Sequence, residues 1–253
     1  MTGGKRVSAK FLIAGDQAIS VQFGETICME TNRQVMMLHH NLQEYPHPGI
    51  LETVPSYSSL MVHYHPEIVG CQTMKTLLAE RISQMKEAAA AMATVTEIPV
   101  LYGGEYGMDL EACARQENIS TEELIRIHAG HDYYIYMLGF APGHPYTARF
   151  AEPFTCKRLA TPRARLVGGS VVIVENLSNI LPFDQPCGWN SIGHTPVKLC
   201  DYQKEFPFLL KAGEWIRFIP VDEKEYQAIK KQADQGQYQV RRHQKEMESK
   251  AVK

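Results

Sequence analysis

No two cysteines lie near one another along this sequence. Cys28, Cys71, Cys113, Cys156, Cys187 and Cys200 are widely separated, with no C-x-x-C, so neither a zinc site nor a disulfide framework has its usual spacing. They read as ordinary thiols. Histidine pairs at H-x-x-x-H spacing are also missing. His63 and His65 would share one strand face without a third ligand, so no metal is expected. The charges are balanced, 26 Lys and Arg against 28 Asp and Glu, and the cations are spread along the chain, which argues against nucleic acid and anionic membrane as partners. Nucleotide loops are absent as well: "LYGGEYG" lacks both G-K-[ST] and G-x-G-x-x-G and reads as a turn. There is no G-x-S-x-G elbow, and Cys187 in "QPCGWN" is the only cysteine set in what reads as a site loop, with a catalytic thiol there the minority reading. Finally, no run is long and apolar enough to cross a membrane, and "MTGGKRVSAKFLIAGDQ" lacks the apolar core of a secretory signal. A cytoplasmic protein is expected.

What is present is the composition of a folded globular chain, 44% hydrophobic over 253 residues, enough for one large domain or two modest ones. "KFLIAGDQAISVQFG" reads as a hairpin. Val35, Leu38, Leu42 and Tyr45 fall on one helical stripe that stops at "YPHPG". Leu60, Val62 and Tyr64 alternate as in a strand, and Met74, Leu77, Leu78, Ile82 and Met85 share the face of a second helix. A boundary is placed near residue 94. Beyond it come a strand, a glycine turn and two helices, with Asp109 as N-cap of the first, Ser120 and Glu123 as a capping box for the second, and Gly130 at its end. From Tyr133 onward, short apolar runs ("YYIYMLGF", "GGSVVIVEN", "PVKLC", "WIRFIP") alternate with Pro/Gly turns, the pattern of a barrel or sandwich. The expected division is thus residues 1–94 as an α+β domain, 95–222 as a β-rich domain, and 223–253 as a solvated helix and frayed tail.

Three rigid loops join the β runs: "GFAPGHPYTARF", "LATPRARLVGGS" and "LPFDQPCGWNSIGHTP". Proline and packed glycine lower the entropy lost when a ligand is clamped, so such loops suit a preorganised site. Tyr146, Arg163, Trp189, Asn190 and His194 bring a phenol, a guanidinium, an indole, an amide and an imidazole to them. Arg163 suits a carboxylate or phosphate oxygen, and Trp189 suits a pocket wall.

In order and spacing these loops resemble the motifs G-F-x-P-G-F-P-Y, A-T-P-R, G-S-V and P-G-G-W-x-x-I-G-R-T-P. Those motifs mark the family that contains allophanate hydrolase subunit 1, the B subunit of 5-oxoprolinase and the sporulation kinase inhibitor KipI. Here they stand at Gly139 to Tyr146, Ala160 to Arg163, Gly169 to Val171 and Pro186 to Pro196, and the resemblance spans roughly residues 10 to 222. It implies a small N-terminal α+β domain of ferredoxin-like type followed by a cyclophilin-like β-barrel, without implying prolyl isomerase activity. It also implies work alongside a second cyclophilin-like subunit and a third subunit, opening the lactam of 5-oxoproline to glutamate at the expense of ATP bound on, or shared with, a partner. Inhibition of a histidine kinase, or a urea-processing role on an amide substrate, are the alternatives it allows. Under this resemblance Arg163, Tyr146 and His128 form the catalytic set, with Phe140, Pro142, Gly143, His144, Pro145, Thr161, Ser170, Trp189, Asn190 and His194 binding substrate. The departures are His144 for Phe, "TARF" after Tyr146, Glu175-Asn176 for a Gly-Gly pair, Cys187 for Gly and His194 for Arg. Glu175 adds a charge that would repel a carboxylate, and the lost arginine removes an anion contact.

Overall fold

The computed structural model describes residues 9–85, 92–147, 154–175 and 177–246. It divides into two compact units, the second beginning at Met92. In the first, β1 (Lys10–Ile13) and β2 (Ala18–Gln22) form the expected antiparallel hairpin, turning where Gly15 takes a φ of 68°. They are followed by α1 (Met29–Glu44), β3 (Ile50–Pro55), β4 (Ser59–Tyr64) and α2 (Cys71–Gln84). The sheet order is β1-β2-β4-β3, antiparallel throughout. This is the ferredoxin-like split βαβ arrangement, with the outer strand next to β2 supplied from the N-terminal side.

One core joins helices to sheet. Val35, Leu38 and Leu42 from α1 and Met74, Leu78 and Ile82 from α2 meet Leu60, Val62 and Tyr64, the alternate residues of β4. Each such side chain contributes about 1.5–3 kcal/mol by leaving water. Tyr45, the last member of the expected α1 stripe, is instead 52% exposed, because the helix stops at Glu44 and Tyr45 has left helical geometry (φ −119°, ψ 73°).

The second unit opens with the long β5 (Met92–Tyr102), then α3 (Leu110–Gln116), α4 (Thr121–Ala129), β6 (Asp132–Leu138) and β7 (Pro145–Thr147). β8 (Arg163–Leu166), β9 (Ser170–Val174), β10 (Leu177–Ile180), β11 (Gln185–Cys187) and β12 (Asn190–His194) follow, then β13 (Trp215–Pro220), α5 (Glu223–Asp234) and β14 (Arg242–Glu246). The main sheet runs β10-β9-β12-β5-β13-β6-β7, and β8 pairs separately with β11. The two end strands meet where Thr147 Oγ1 on β7 donates to the Ser178 carbonyl on β10. The result is a nearly closed, cyclophilin-like barrel filled by Ile98, Val100, Tyr133, Ile135, Ile173, Ile216 and Phe218.

Several local expectations change. Asp109 sits at the α3 N-cap without capping it, since its carboxylate is drawn to Arg163 and to the Ser191 N–H. Ser120 does cap α4 through Glu123 N, but the Glu123 carboxylate turns to Arg126, so the box is not closed. "PVKLC" forms only an isolated bridge, Cys200 to Phe208. Of the segment expected as a frayed tail, Arg242–Glu246 form β14, and residues 247–253 lie outside the described residues. β12 covers β5 only at Leu101 and Tyr102, and β14 pairs along the remaining edge at Met92–Thr96, sparing a row of unpaired backbone groups. Lys245 and Arg217 then share the buried Asp132 carboxylate, at 2.8 and 2.5 Å. Nor is α5 wholly solvated, because Tyr226 on it is fully buried.

Candidate functional site

The loop from Gly139 to His144 joins β6 to β7 and is tied to itself. Gly139 N donates to His144 O at 3.1 Å and His144 N to Ala141 O at 3.0 Å. Gly143, at φ 78°, packs so closely that a Cβ there would lie 3.2 Å from Cys200 Cβ. Phe140 is left-handed too, at φ 64°, and 81% exposed. Such a conformation costs a bulky residue roughly 1–3 kcal/mol and concentrates at binding sites. Here it stands the phenyl ring over a cavity.

That cavity, about 220 Å³, lies between this loop and the segment Gln185 to Trp189, with Val172 and Leu181 below. Phe140, Tyr146 and Trp189 supply aromatic walls, and Arg158, His144, Asn179, Gln185 and Cys187 supply polar groups. The His144 ring lies 5.3 Å from that of Tyr146 and meets Phe140 edge-on at 5.9 Å.

The chemistry of these groups follows from their burial. With the Asn179 amide oriented so that its nitrogen donates to the Pro145 carbonyl, its oxygen accepts from His144 Nε2 at 3.3 Å. His144 Nδ1 then has no hydrogen-bond partner among the described residues. Burial pushes the imidazole down to about 4, so it is neutral at neutral pH. The Cys187 thiol is pushed up by burial, against weaker opposing effects of the Trp189 N–H, Arg158 and Arg163. That favours the thiol over the more nucleophilic thiolate at Cys187. Tyr146 is likewise raised by burial. Arg158 is the one charged side chain in the lining.

Of the residues expected from sequence, Phe140, His144, Tyr146 and Trp189 line this cavity, and the others do not. Arg163 is engaged elsewhere: its Nη2 bonds Asp109 Oδ1 at 2.7 Å, while Asp109 Oδ2 accepts the Ser191 N–H at 2.7 Å. The pair clasps β8 to the start of α3 and to β12. His128, fully buried in the barrel, is hydrogen-bonded through Nδ1 to Tyr102 OH at 2.6 Å and through Nε2 to Ser178 Oγ at 2.8 Å. Burial holds it down to about 3, and it does not line the cavity. His194 donates from Nε2 to the Gly168 carbonyl and accepts from Tyr226 OH at Nδ1, both at 2.8 Å, so both its nitrogens are engaged and it ties α5 to the barrel. Asn190 donates to the Lys157 and Ile173 carbonyls, and Ser170 to the Val167 carbonyl. Thr161 and Pro142 are exposed away from the lining, while Gly143 and Pro145 shape the loop behind it. Glu175 also lies outside the lining; Asn176, Ala148 and Arg149 fall outside the described residues.

Sequence reasoning missed Arg158, Asn179 and Gln185. Arg158 stands close before the A-T-P-R motif, in a stretch holding Arg158, Arg163 and Arg165, and nothing in the spacing shows which arginine remains unpaired.

The family model for the carboxyltransferase domain, subdomain C and D, matches residues 9–210, which takes in the described part of the first unit, the second unit as far as β12 and the segment beyond it, and all of the cavity. The chain belongs to that family. Within it, the chain is 35% identical over 230 residues to a protein of Bacillus subtilis (strain 168) named as the B subunit of 5-oxoprolinase, covering 87% of this chain and 96% of that one. A protein of the same name from Escherichia coli O157:H7 is 29% identical over 216 residues, covering 85% and 97%. Among solved structures, TTHA0988 superposes with a TM-score of 0.72 at 33% identity, over 81% of this chain and 40% of that longer one. The Kluyveromyces lactis urea amidolyase superposes at 0.76 over 94% of this chain and 16% of its own, at 16% identity, a likeness of fold. No helix among the described residues is long and apolar enough to cross a membrane.

Proposed function

We propose that this chain is the B subunit of an ATP-dependent 5-oxoprolinase and that the barrel cavity receives the lactam while ATP binds on, or is shared with, a partner. The observation that carries the reading is the 35% identity over nearly the whole of the Bacillus subtilis protein of that name. The cavity supports it. At about 220 Å³ it is smaller than the roughly 300–1,000 Å³ usual for drug-sized ligands, which favours a five-membered ring and disfavours a nucleotide. Its aromatic walls suit a flat ring, and its neutral His144 and Cys187 leave the ring amide unprotonated and unattacked by this chain. Net hydrolysis breaks the ring C–N bond with water and leaves glutamate, ADP and phosphate. In this reading the present chain holds and orients the amide, and the charge that develops on its oxygen is met in the assembled complex. The partners are a second cyclophilin-like subunit and a third subunit.

The test is reconstitution. The chain is mixed with its partner subunits, ATP and 5-oxoproline, and glutamate is followed. The reading expects glutamate only from the full mixture. A complete complex that releases none, or a chain whose measurable effect is to lower histidine kinase autophosphorylation, would overturn it.

A further inference from the structure

Three arginines cluster in sequence around the A-T-P-R motif, and the fold treats them differently. Arg163 is paired with Asp109 and Arg165 with Asp184. Arg158 makes no ion pair or side-chain hydrogen bond among the described residues, and it is the one that lines the cavity. A guanidinium keeps its charge at working pH, and Arg158, an exposed residue on the cavity lining, offers that charge to an anion that can displace its water.

Its place is built by the absence of a side chain at Gly188. A Cβ added there would lie 2.6 Å from Arg158 Nε, 3.3 Å from Nη2 and 3.4 Å from Cγ, and Arg158 accounts for every one of its nearest neighbours. The backbone of Gly188 has no positive φ to explain the glycine. The Leu159 N–H donates to the Gly188 carbonyl at 2.9 Å, which holds the two segments together and keeps the Arg158 stem across the loop. The same cavity is lined by Phe140, Tyr146 and Trp189, with His144 and Cys187 both uncharged. A single cation in a small aromatic cavity matches a single negative charge on a flat body. A phosphate dianion would need more cations to replace its water.

We infer that Arg158 is the carboxylate anchor of this cavity, that Gly188 is bare in order to seat it, and that the ligand is a small cyclic amide bearing one carboxylate. This rests on the reading that the cavity receives the substrate, and assigns the group that recognises its acid end.

The experiment measures binding by calorimetry to the full chain and to the assembled complex, using 5-oxoproline and the neutral lactam 2-pyrrolidinone as probes. The wild type should prefer the acid. Arg158→Ala should remove that preference, weakening the acid roughly 10- to 100-fold, the range of a charge-assisted bond, and leaving the neutral lactam unchanged. Gly188→Ala, which displaces the guanidinium without deleting it, should lower the same preference with the thermal midpoint of the chain retained. Arg158→Lys should restore part of it. An acid preference that survives Arg158→Ala overturns the assignment, as does a wild type that binds neither probe. If the preference follows Arg158 but the complex releases no glutamate, the anchor stands and the oxoprolinase reading falls.

Discussion

His128 and His144 are both buried in the barrel unit, both beside aromatic rings and both held neutral, yet they serve opposite ends. His128 has a partner on each nitrogen, Tyr102 on one side and Ser178 on the other. Among the described residues His144 has Asn179 on one nitrogen and none on the other, and it faces a cavity beside a strained Phe140 and an Arg158 with no ion-pair partner. A buried polar group that is fully satisfied is architecture; one left short of partners, next to a void, marks where the protein meets something else.

The largest effect should come from breaking the satisfied member. His128→Ala deletes a ring from the core and strands both Tyr102 OH and Ser178 Oγ, which predicts a loss of about 3–5 kcal/mol in urea denaturation. Acid titration tests both histidines together. Their folded values, about 3 and about 4, lie below the ordinary 6.5, so below that point the unfolded chain takes up protons that the folded chain refuses. Stability should be level above pH 7 and fall as pH drops from about 6.5 through 4 toward 3. His144→Phe should make that decline shallower, whereas an unchanged slope would show that His144 is not held neutral.

Next in size is the clasp that displaced Arg163 from the site. Asp109→Ala leaves the Arg163 guanidinium and the Ser191 N–H without their acceptor, a loss of about 2–3 kcal/mol after allowance for the partial exposure of Arg163. The acid preference read through Arg158 should survive it in the same calorimetric assay. The smallest change is Phe140→Gly. It relieves the left-handed strain, so stability should hold or rise by up to about 1 kcal/mol, while lactam binding weakens through the lost wall.

The architecture was legible in the sequence because its signals are local. The alternation at Leu60, Val62 and Tyr64, the stripe at Val35, Leu38 and Leu42, and the Pro/Gly loops each fix a short stretch of chain by periodicity or turn chemistry. The loops that line the cavity were legible for the same reason, including Phe140, His144, Tyr146 and Trp189. The assignment of charges was not. Whether Arg158 or Arg163 is left unpaired depends on Asp109, 54 residues before Arg163, reaching across to β8. The burial of His194 depends on Tyr226 arriving from a helix that reads as solvated. β14 looked like a tail because a mixed-charge strand shows no apolar alternation, and its place is set by the edge that β5 leaves open.

The meeting of β7 and β10 gives the barrel an unequal circumference. Elsewhere neighbouring staves share ladders of main-chain bonds, but here the closure includes a threonine hydroxyl on Ser178 and the Asn179 amide against Pro145. Among the described residues the joint is held by these two side chains, and a hoop so fastened gives way there first. The amides of Tyr146 and Thr147 should therefore exchange with solvent before those of β9 or β13, and a ligand wedged between Asn179 and Tyr146 would act as a rivet across the joint.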